Sequence, residues 1–185
     1  CMTRNPDSIY ELFNLSGDII DVAKADASNY LELVEALKEV DVAFYLIHSM
    51  EGSSKKWKEF SKRDRIAAEN FAKAASITNT KRIIYLSGLI DTDHKDLSEH
   101  MKSRKEVGDI LRTSKADVTI FRAAVILGQG GGSFQMLQYL VERLPMMVCP
   151  KWVLTKSQPI SVDDVVTYLV KSIETKDTAS QDYDI

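Results

Sequence analysis

The chain has no apolar run long enough to cross a bilayer as a helix, and no stretch with the layout of a secretory signal peptide. Its two cysteines, Cys1 and Cys149, form neither a metal-ligand spacing nor a disulfide framework, which excludes a stapled secreted scaffold and suits a reducing cytoplasm. Its three histidines, His48, His94 and His100, are scattered and suggest no metal site. A strong charge of one sign is missing too. The net charge of −3 gives no general drive toward nucleic acid or an anionic membrane. There is no internal repeat, low-complexity tract or linker, and no complete phosphate-binding glycine motif. Gly130-Gly131-Gly132 stand before a helical segment, where free N–H groups can bind an anion, but a mobile substrate loop is the reading this incomplete motif favours.

What is present suffices for one domain. The 185 residues are 44% hydrophobic and 28% charged, which allows a full core in a soluble chain. The chain opens on Cys1 in mid-pattern and closes on Tyr183-Asp184-Ile185, which reads as a strand cut short. Residues 1–185 are therefore expected to be one domain of a longer chain.

The organising stretch is Lys81 to Gly128. Ile83 to Leu86 is a short apolar run, β-branched and aromatic, closed by Ser87-Gly88, as in a strand buried on both faces. A helical segment from Ser98 to Thr113 and a second apolar run from Val118 to Leu127 complete a parallel βαβ unit. Upstream, Cys1 to Arg4 reads as a strand tail before the turn Asn5-Pro6, residues 7–17 as a weak helix, and Ile19 to Val22 as a strand opening into Lys24-Ala25-Asp26-Ala27. Asn29 starts a helix with Glu32 as its capping-box partner and Leu33, Val34 and Leu37 inward. Val42 to Ile47 reads as a central parallel strand ending in His48-Ser49-Met50. The polar residues 51–63 read as a loop, and a helix with Ile66, Phe71, Ala74 and Ala75 inward follows to about Ala75.

Downstream, Ser133 can cap a helix with Phe134, Leu137, Val141 and Leu144 on one face, stopped by Pro145. Met146 to Trp152 reads as irregular. Ser161-Val162-Asp163-Asp164 signals the last helix, with Val162, Val165, Val166, Leu169, Val170 and Ile173 on its apolar stripe. This alternation predicts an α/β fold with a doubly wound parallel sheet. Ligands of such sheets bind at the carboxyl ends of the strands, which directs attention to Ser87 and the loop after it.

Two polar clusters carry less weight by spacing alone. Lys55, Lys56, Lys58, Lys62, Arg63 and Arg65 could meet phosphate, but Glu51, Glu59 and Asp64 dilute them and a solvated surface is favoured. His100 and Arg104, four apart, share a helix face on which the fixed cation would push the imidazole toward its neutral form; an exposed polar face is the plainer reading.

Arg4-Asn-Pro6, Ala25-Asp26-Ala27, Val42 to Met50, Tyr85-Leu-Ser-Gly88, Phe121-Arg-Ala-Ala-Val125 and Pro159 to Asp164, in this order, resemble the extended and atypical short-chain dehydrogenase/reductases. The likeness is nearest to their NmrA-like, NAD(P)H-binding branch, sometimes labelled nucleoside-diphosphate-sugar epimerases, and it covers nearly the whole chain. It implies a Rossmann-like fold with NADP, or NAD, across the strand ends. Asp26 holds the place of the residue that contacts adenine, with Ala27 beside it, and Arg4 that of the residue that takes the 2′-phosphate. Leu46, Ile47 and His48 would line the cofactor, Ala123, Ala124 and Val125 would lie near the nicotinamide, and Pro159 to Asp164 would start a late helix beside the substrate lobe.

Two departures stand out. The glycine-rich pyrophosphate turn would fall before Cys1, roughly 20 to 30 residues upstream by the size of a βα unit. The catalytic Tyr-x-x-x-Lys aligns with His100-Met-Lys-Ser-Arg104, while Ser87 stands near the catalytic serine place. The resemblance thus implies an oxidoreductase or epimerase-like enzyme with Ser87, His100 and Arg104 nearest the chemistry, acting on an unnamed small molecule. The alternative is a non-catalytic NAD(P)H-binding redox sensor or assembly scaffold.

Overall fold

The computed structural model describes residues 1–13, 20–48, 57–90, 97–128, 132–143 and 157–185. The elements run β1 (Met2–Thr3), α1 (Pro6–Phe13), β2 (Ala23–Lys24), α2 (Tyr30–Ala36), β3 (Val42–Tyr45), α3 (Trp57–Thr78), β4 (Arg82–Gly88) and α4 (Glu99–Leu111). They continue as β5 (Asp117–Ala123), β6 (Val125–Leu127), α5 (Gly132–Arg143), β7 (Pro159–Ser161), α6 (Val162–Glu174) and β8 (Asp182–Asp184). Expectations for residues 14–19, Ser49-Met50, the loop from 51 with Lys55 and Lys56, the tip of the glycine loop at 129–131, and Met146 to Trp152 fall outside the described residues.

All ladders are parallel. The main sheet has the order β3-β4-β5-β8, and the pairs β1-β2 and β6-β7 stand apart from it. β4 lies inside, its residues in register with β3 from Val42↔Arg82 and with β5 from Arg82↔Asp117 to Gly88↔Ala123. Side chains alternate between the faces of a strand, so one sequence run serves two cores. Ala43, Tyr45, Ile83, Tyr85, Val118 and Ile120 pack under α2, α3 and α4, and Ile84 and Phe121 pack under Val165 and Leu169 of α6. This two-sided cover makes the sheet doubly wound, as the apolar runs predict. The step from β5 to β8 continues across the sheet in the direction of β3, β4 and β5, yet α6 lies on the opposite face from α3 and α4. That crossover therefore has the opposite hand to the two before it.

The caps follow the sequence signals. The Asn29 side chain accepts from the N–H groups of Leu31 and Glu32, that of Ser98 from Met101, and that of Ser161 from Asp164. Glu32 bonds the Asn29 amide at 2.7 Å and the Asp26 N–H at 2.8 Å, so the capping box also ties down the loop before α2.

Several expectations are corrected. The second strand is Ala23–Lys24, later than Ile19 to Val22, and the run Val118 to Leu127 breaks at Ala124 because its last part leaves the main sheet to pair with β7. β3 is an edge among the described residues, with Phe44 and Leu46 exposed, in contrast to the central strand that its apolar run predicts. Ile66 is exposed rather than inward. Of the α6 stripe only Val165 and Leu169 are buried, while Val162, Val166, Val170 and Ile173 are exposed. On its face α6 packs over Ile84 and Phe121 with Val42 of β3 at the side, while Phe44 and Leu46 stay exposed, so a wide apolar stripe meets a narrow support.

Glycine lets α4 approach the sheet. A Cβ at Gly108 would stand 2.9 Å from Ile120 Cδ1, and one at Gly88 would stand 2.9 Å from Met101 Cε.

At the far end of the sheet Arg82 is buried, and no carboxylate among the described residues pairs with it. Its guanidinium donates to Thr119 Oγ1 at 3.0 Å, to the Thr175 carbonyl at 3.4 Å and to the Thr178 hydroxyl. Thr175 ends α6, where the helix dipole is negative and favours a cation. Truncation would take the donor from the Thr119 and Thr178 hydroxyl oxygens, while the Thr175 carbonyl keeps its bonds from the N–H and hydroxyl of Thr178. Arg82→Ala is expected to lower the free energy of unfolding by about 3 kcal/mol. Urea denaturation followed by circular dichroism measures it, and a loss below about 1 kcal/mol would show that the end of α6 is held otherwise.

Candidate functional site

A cleft of about 670 Å³ opens at the carboxyl ends of β1, β2 and β3, against the first half of α3. Its walls include Thr3, Arg4, Asp26, Ala27, Ser28, Ile47, His48, Phe60, Arg63 and Asp64. The volume lies in the range of small-molecule sites, and the position is the one that open α/β sheets use for ligands.

The near wall is a tight loop. Asp26 Oδ1 accepts from the Ser28 N–H at 2.8 Å and from the Ser28 hydroxyl at 2.7 Å. The Ser28 N–H, then its hydroxyl, and the charge of Arg4 hold the Asp26 carboxyl below the usual carboxylate range, against the opposing effect of burial. Asn70 of α3 donates its side-chain amide to the carbonyls of Ser28 at 2.9 Å and Ala27 at 3.3 Å, so the helix fixes the loop from below.

The far wall leads to the second group of expected residues. His48 follows β3 and lines the cleft. Its pKa is lowered, first by desolvation and then by the charge of Arg104, against the nearby Leu46 backbone and the charge of Asp64. His100 on α4 is lowered likewise, first by desolvation, then by Arg104 and by His48, while Asp64 raises it. The Tyr85 hydroxyl donates to the Arg104 carbonyl at 3.3 Å, and Arg65 meets Glu106 at 2.5 Å, which register α4 against β4 and α3.

The structure brings Arg4, Asp26, Ala27, Ile47 and His48 into one cleft, whereas His100 and Arg104, on α4, are not among its walls. Ser87 is buried at the end of β4, on the side of the strand that faces α4 by alternation with Ile83 and Tyr85. Leu46 is exposed and shares the bare face of β3 with Phe44, away from the cleft. Ala123 is buried at the end of β5, whereas Ala124 and Val125 are exposed, and none of the three lines the cleft. Phe60, Ser28 and Asn70 join the site without a motif in the sequence that marks them, and Arg63 and Asp64 come from the charged cluster for which a solvated surface is the favoured reading of the sequence. Their one visible signal is in α3, where polar Asp64 and Asn70 interrupt a face otherwise set by Phe60, Ala67, Ala68 and Phe71. Among the described residues no group of His, Cys, Asp and Glu could hold a metal ion, and no helix is long and apolar enough to cross a membrane.

A family model described as NAD(P)H-binding matches residues 1–176. The chain belongs to this NAD(P)H-binding family. A curated relative, the auxiliary protein GraX of Staphylococcus aureus, is 36% identical over 67 residues, which are 35% of this chain and 22% of that protein. Among solved structures, the Bordetella bronchiseptica enzyme WbmH in complex with NAD⁺ is 17% identical with a TM-score of 0.68, over 89% of this chain and 59% of that one. The UDP-glucuronic acid 4-epimerase of Bacillus cereus in complex with NAD is 15% identical with a TM-score of 0.72, over 89% and 60%. The dTDP-glucose 4,6-dehydratase of Streptomyces venezuelae, with NAD bound, is 15% identical with a TM-score of 0.70, over 89% and 57%. These likenesses show a shared Rossmann-like fold, in keeping with the resemblance to atypical short-chain dehydrogenase/reductases. The chain spans less than two thirds of the length of each of these proteins.

Among the cleft walls of this NAD(P)H-binding domain, Asp26 and Arg4 offer one acceptor and one donor to a nucleotide, so the residues present fit the adenosine half of a dinucleotide. Asn70→Ala removes two hydrogen bonds to the loop that carries Asp26. Dinucleotide affinity is expected to fall about five- to tenfold, or about 1 to 1.4 kcal/mol, by isothermal titration calorimetry. Unchanged affinity would mean that Glu32 holds the loop alone.

Proposed function

We propose that the protein is an NAD(P)H-dependent oxidoreductase or epimerase-like enzyme that prefers NADP(H), with Ser87, His100 and Arg104 nearest the chemistry. The observation that supports this reading is one cleft at the strand ends, whose walls offer Arg4 and Asp26 to an adenosine phosphate.

Arg4 supplies a guanidinium, whose planar donors match a phosphate better than an ammonium would. Asp26, held ionised, accepts a hydrogen bond from an adenine amino group, and Ile47 and His48 form the floor. The cofactor, when bound, supplies or accepts the hydride. Arg104 holds the ribose, and its fixed charge lies beside the proton donor. His100 gives a proton to the substrate oxygen, and Ser87 offers that oxygen a hydroxyl. Ala123, Ala124 and Val125, at the next strand end, bound the nicotinamide side.

A second reading has its own support. His-x-x-x-Arg replaces the Tyr-x-x-x-Lys of active relatives, and one curated relative is called an auxiliary protein. In that reading the domain binds NAD(P)H as a redox sensor or an assembly scaffold and turns nothing over.

Two experiments test the proposal. Fluorescence titration of NADPH and NADH should show an NADPH preference that falls about tenfold in Arg4→Ala, a loss of about 1.4 kcal/mol; an unchanged ratio removes this role from Arg4. For the chemistry, the protonated form of His100 is the donor, and its pKa lies below the ordinary value of about 6.5. The donor form is complete below that lowered pKa and is lost as pH rises through it, so NADPH oxidation with a carbonyl substrate should decline across that acidic range. His100→Phe should reduce turnover at least about 100-fold with cofactor affinity retained, while Arg104→Ala should weaken affinity as well. Wild-type turnover in His100→Phe would favour the sensor or scaffold.

A further inference from the structure

We propose that Arg63 of α3 binds the adenine base of the dinucleotide, its planar guanidinium stacking on the ring above the small side chain of Ala67. The inference deepens the reading above and rests on its placement of the adenosine in the cleft.

The cleft is a wedge between α3 and the loop that carries Asp26. Phe60, Arg63 and Ala67 line it, and Asn70 bonds the carbonyls of Ser28 at 2.9 Å and Ala27 at 3.3 Å. Successive members of this set are three or four residues apart, so they share one face of the helix. Asn70 closes the wedge where helix and loop meet. Ala67, one turn away, is buried and brings only a methyl group, which leaves the width between helix and loop unfilled. Arg63, a further turn away, reaches the same cleft with a long, flat-ended side chain. With Asp26 accepting from the amino edge of the base, the flat of the ring faces α3. A methyl group and a guanidinium plane are a wall that suits a flat aromatic ring.

Phe60 braces the arginine. The guanidinium carbon of Arg63 lies 6.0 Å from the centroid of the Phe60 ring, and that ring is buried. A cation at this distance over an aromatic face is attracted to it. One face of the guanidinium is thus taken by Phe60, and a base in the cleft meets the other. Arginine can stack on both faces, whereas the ammonium of lysine is a point charge with no plane to offer. The neighbouring cations are placed otherwise: Arg65 pairs with Glu106 at 2.5 Å, and neither Lys62 nor Arg65 lines the cleft. The sequence gives these three the look of one solvated cluster, and the helix face separates Arg63 from the other two.

Calorimetric titration of NADPH and NADH against the full chain tests the inference, in wild type, Arg63→Ala, Arg63→Lys and Ala67→Leu. The base is common to both cofactors. Arg63→Ala should therefore weaken both about fivefold and leave their ratio unchanged, and Arg63→Lys should remain as weak. Ala67→Leu fills the space beside the ring and should weaken both at least about tenfold. Arg63 is exposed, so its variants should unfold at the wild-type urea midpoint, which separates a lost contact from a lost fold. Unchanged affinity in Arg63→Ala would overturn the inference and make the arginine a solvated surface group. A loss confined to NADPH would overturn it in favour of a 2′-phosphate contact, and recovery in Arg63→Lys in favour of a contact to the pyrophosphate. Wild type that binds neither cofactor would remove the cleft reading and the base contact together. Turnover does not enter the measurement, so an inactive protein that binds NADPH sinks the enzymatic reading alone.

Discussion

The contact on which the site depends is the aromatic wedge of Tyr45, Phe71 and Tyr85. All three rings are buried, and each pair that Tyr45 makes is edge to face, the arrangement that suits the opposite charges of ring face and ring edge. Through Tyr45 the wedge sets where β3 ends and His48 begins. Through Phe71 it sets the rotation of α3, and so the direction of Asp64 and Asn70. Through the Tyr85 hydroxyl it reaches the Arg104 carbonyl and registers α4. Loss of one ring would therefore disturb the end of β3, the rotation of α3 and the register of α4 together, although none of the three rings lines the cleft.

Electrostatics then divides the cleft into two ends of different character. At the near end Asp26 is held ionised by its bonds from Ser28 and by the charge of Arg4, a fixed arrangement that does not titrate near neutrality. His48 on the opposite wall and His100 on α4 are both biased toward the neutral form, first by desolvation and then by Arg104.

Much of the fold is legible in the sequence because β4 and β5 are apolar on both faces, a pattern that an enclosed parallel strand requires and a half-solvated strand does not show. The caps at Asn29, Ser98 and Ser161 are equally plain, since each is a local hydrogen-bond rule. Asp26 and His48 are legible as strand-end residues for the same reason. Asp64 and Asn70 are not, because their roles depend on the rotation of α3 about its axis, and Asn70 meets Ala27 and Ser28 more than forty residues away. The exposure of Val162, Val166, Val170 and Ile173 is hidden for a related reason: periodicity shows that a helix has an apolar side, but not how wide its support is. The break at Ala124 follows from pairing with β7, a partner distant in the chain.

The central claim is that the cleft between the β1–β2 loop ends and α3 holds the dinucleotide. Amide hydrogen exchange with and without saturating NADP⁺ tests it most directly. Bound cofactor should slow exchange at Ala25 to Ser28, at Ile47 and His48, and along the first half of α3. Unchanged exchange at those positions, or slowing confined to the outer surfaces of α5 and α6, would contradict it.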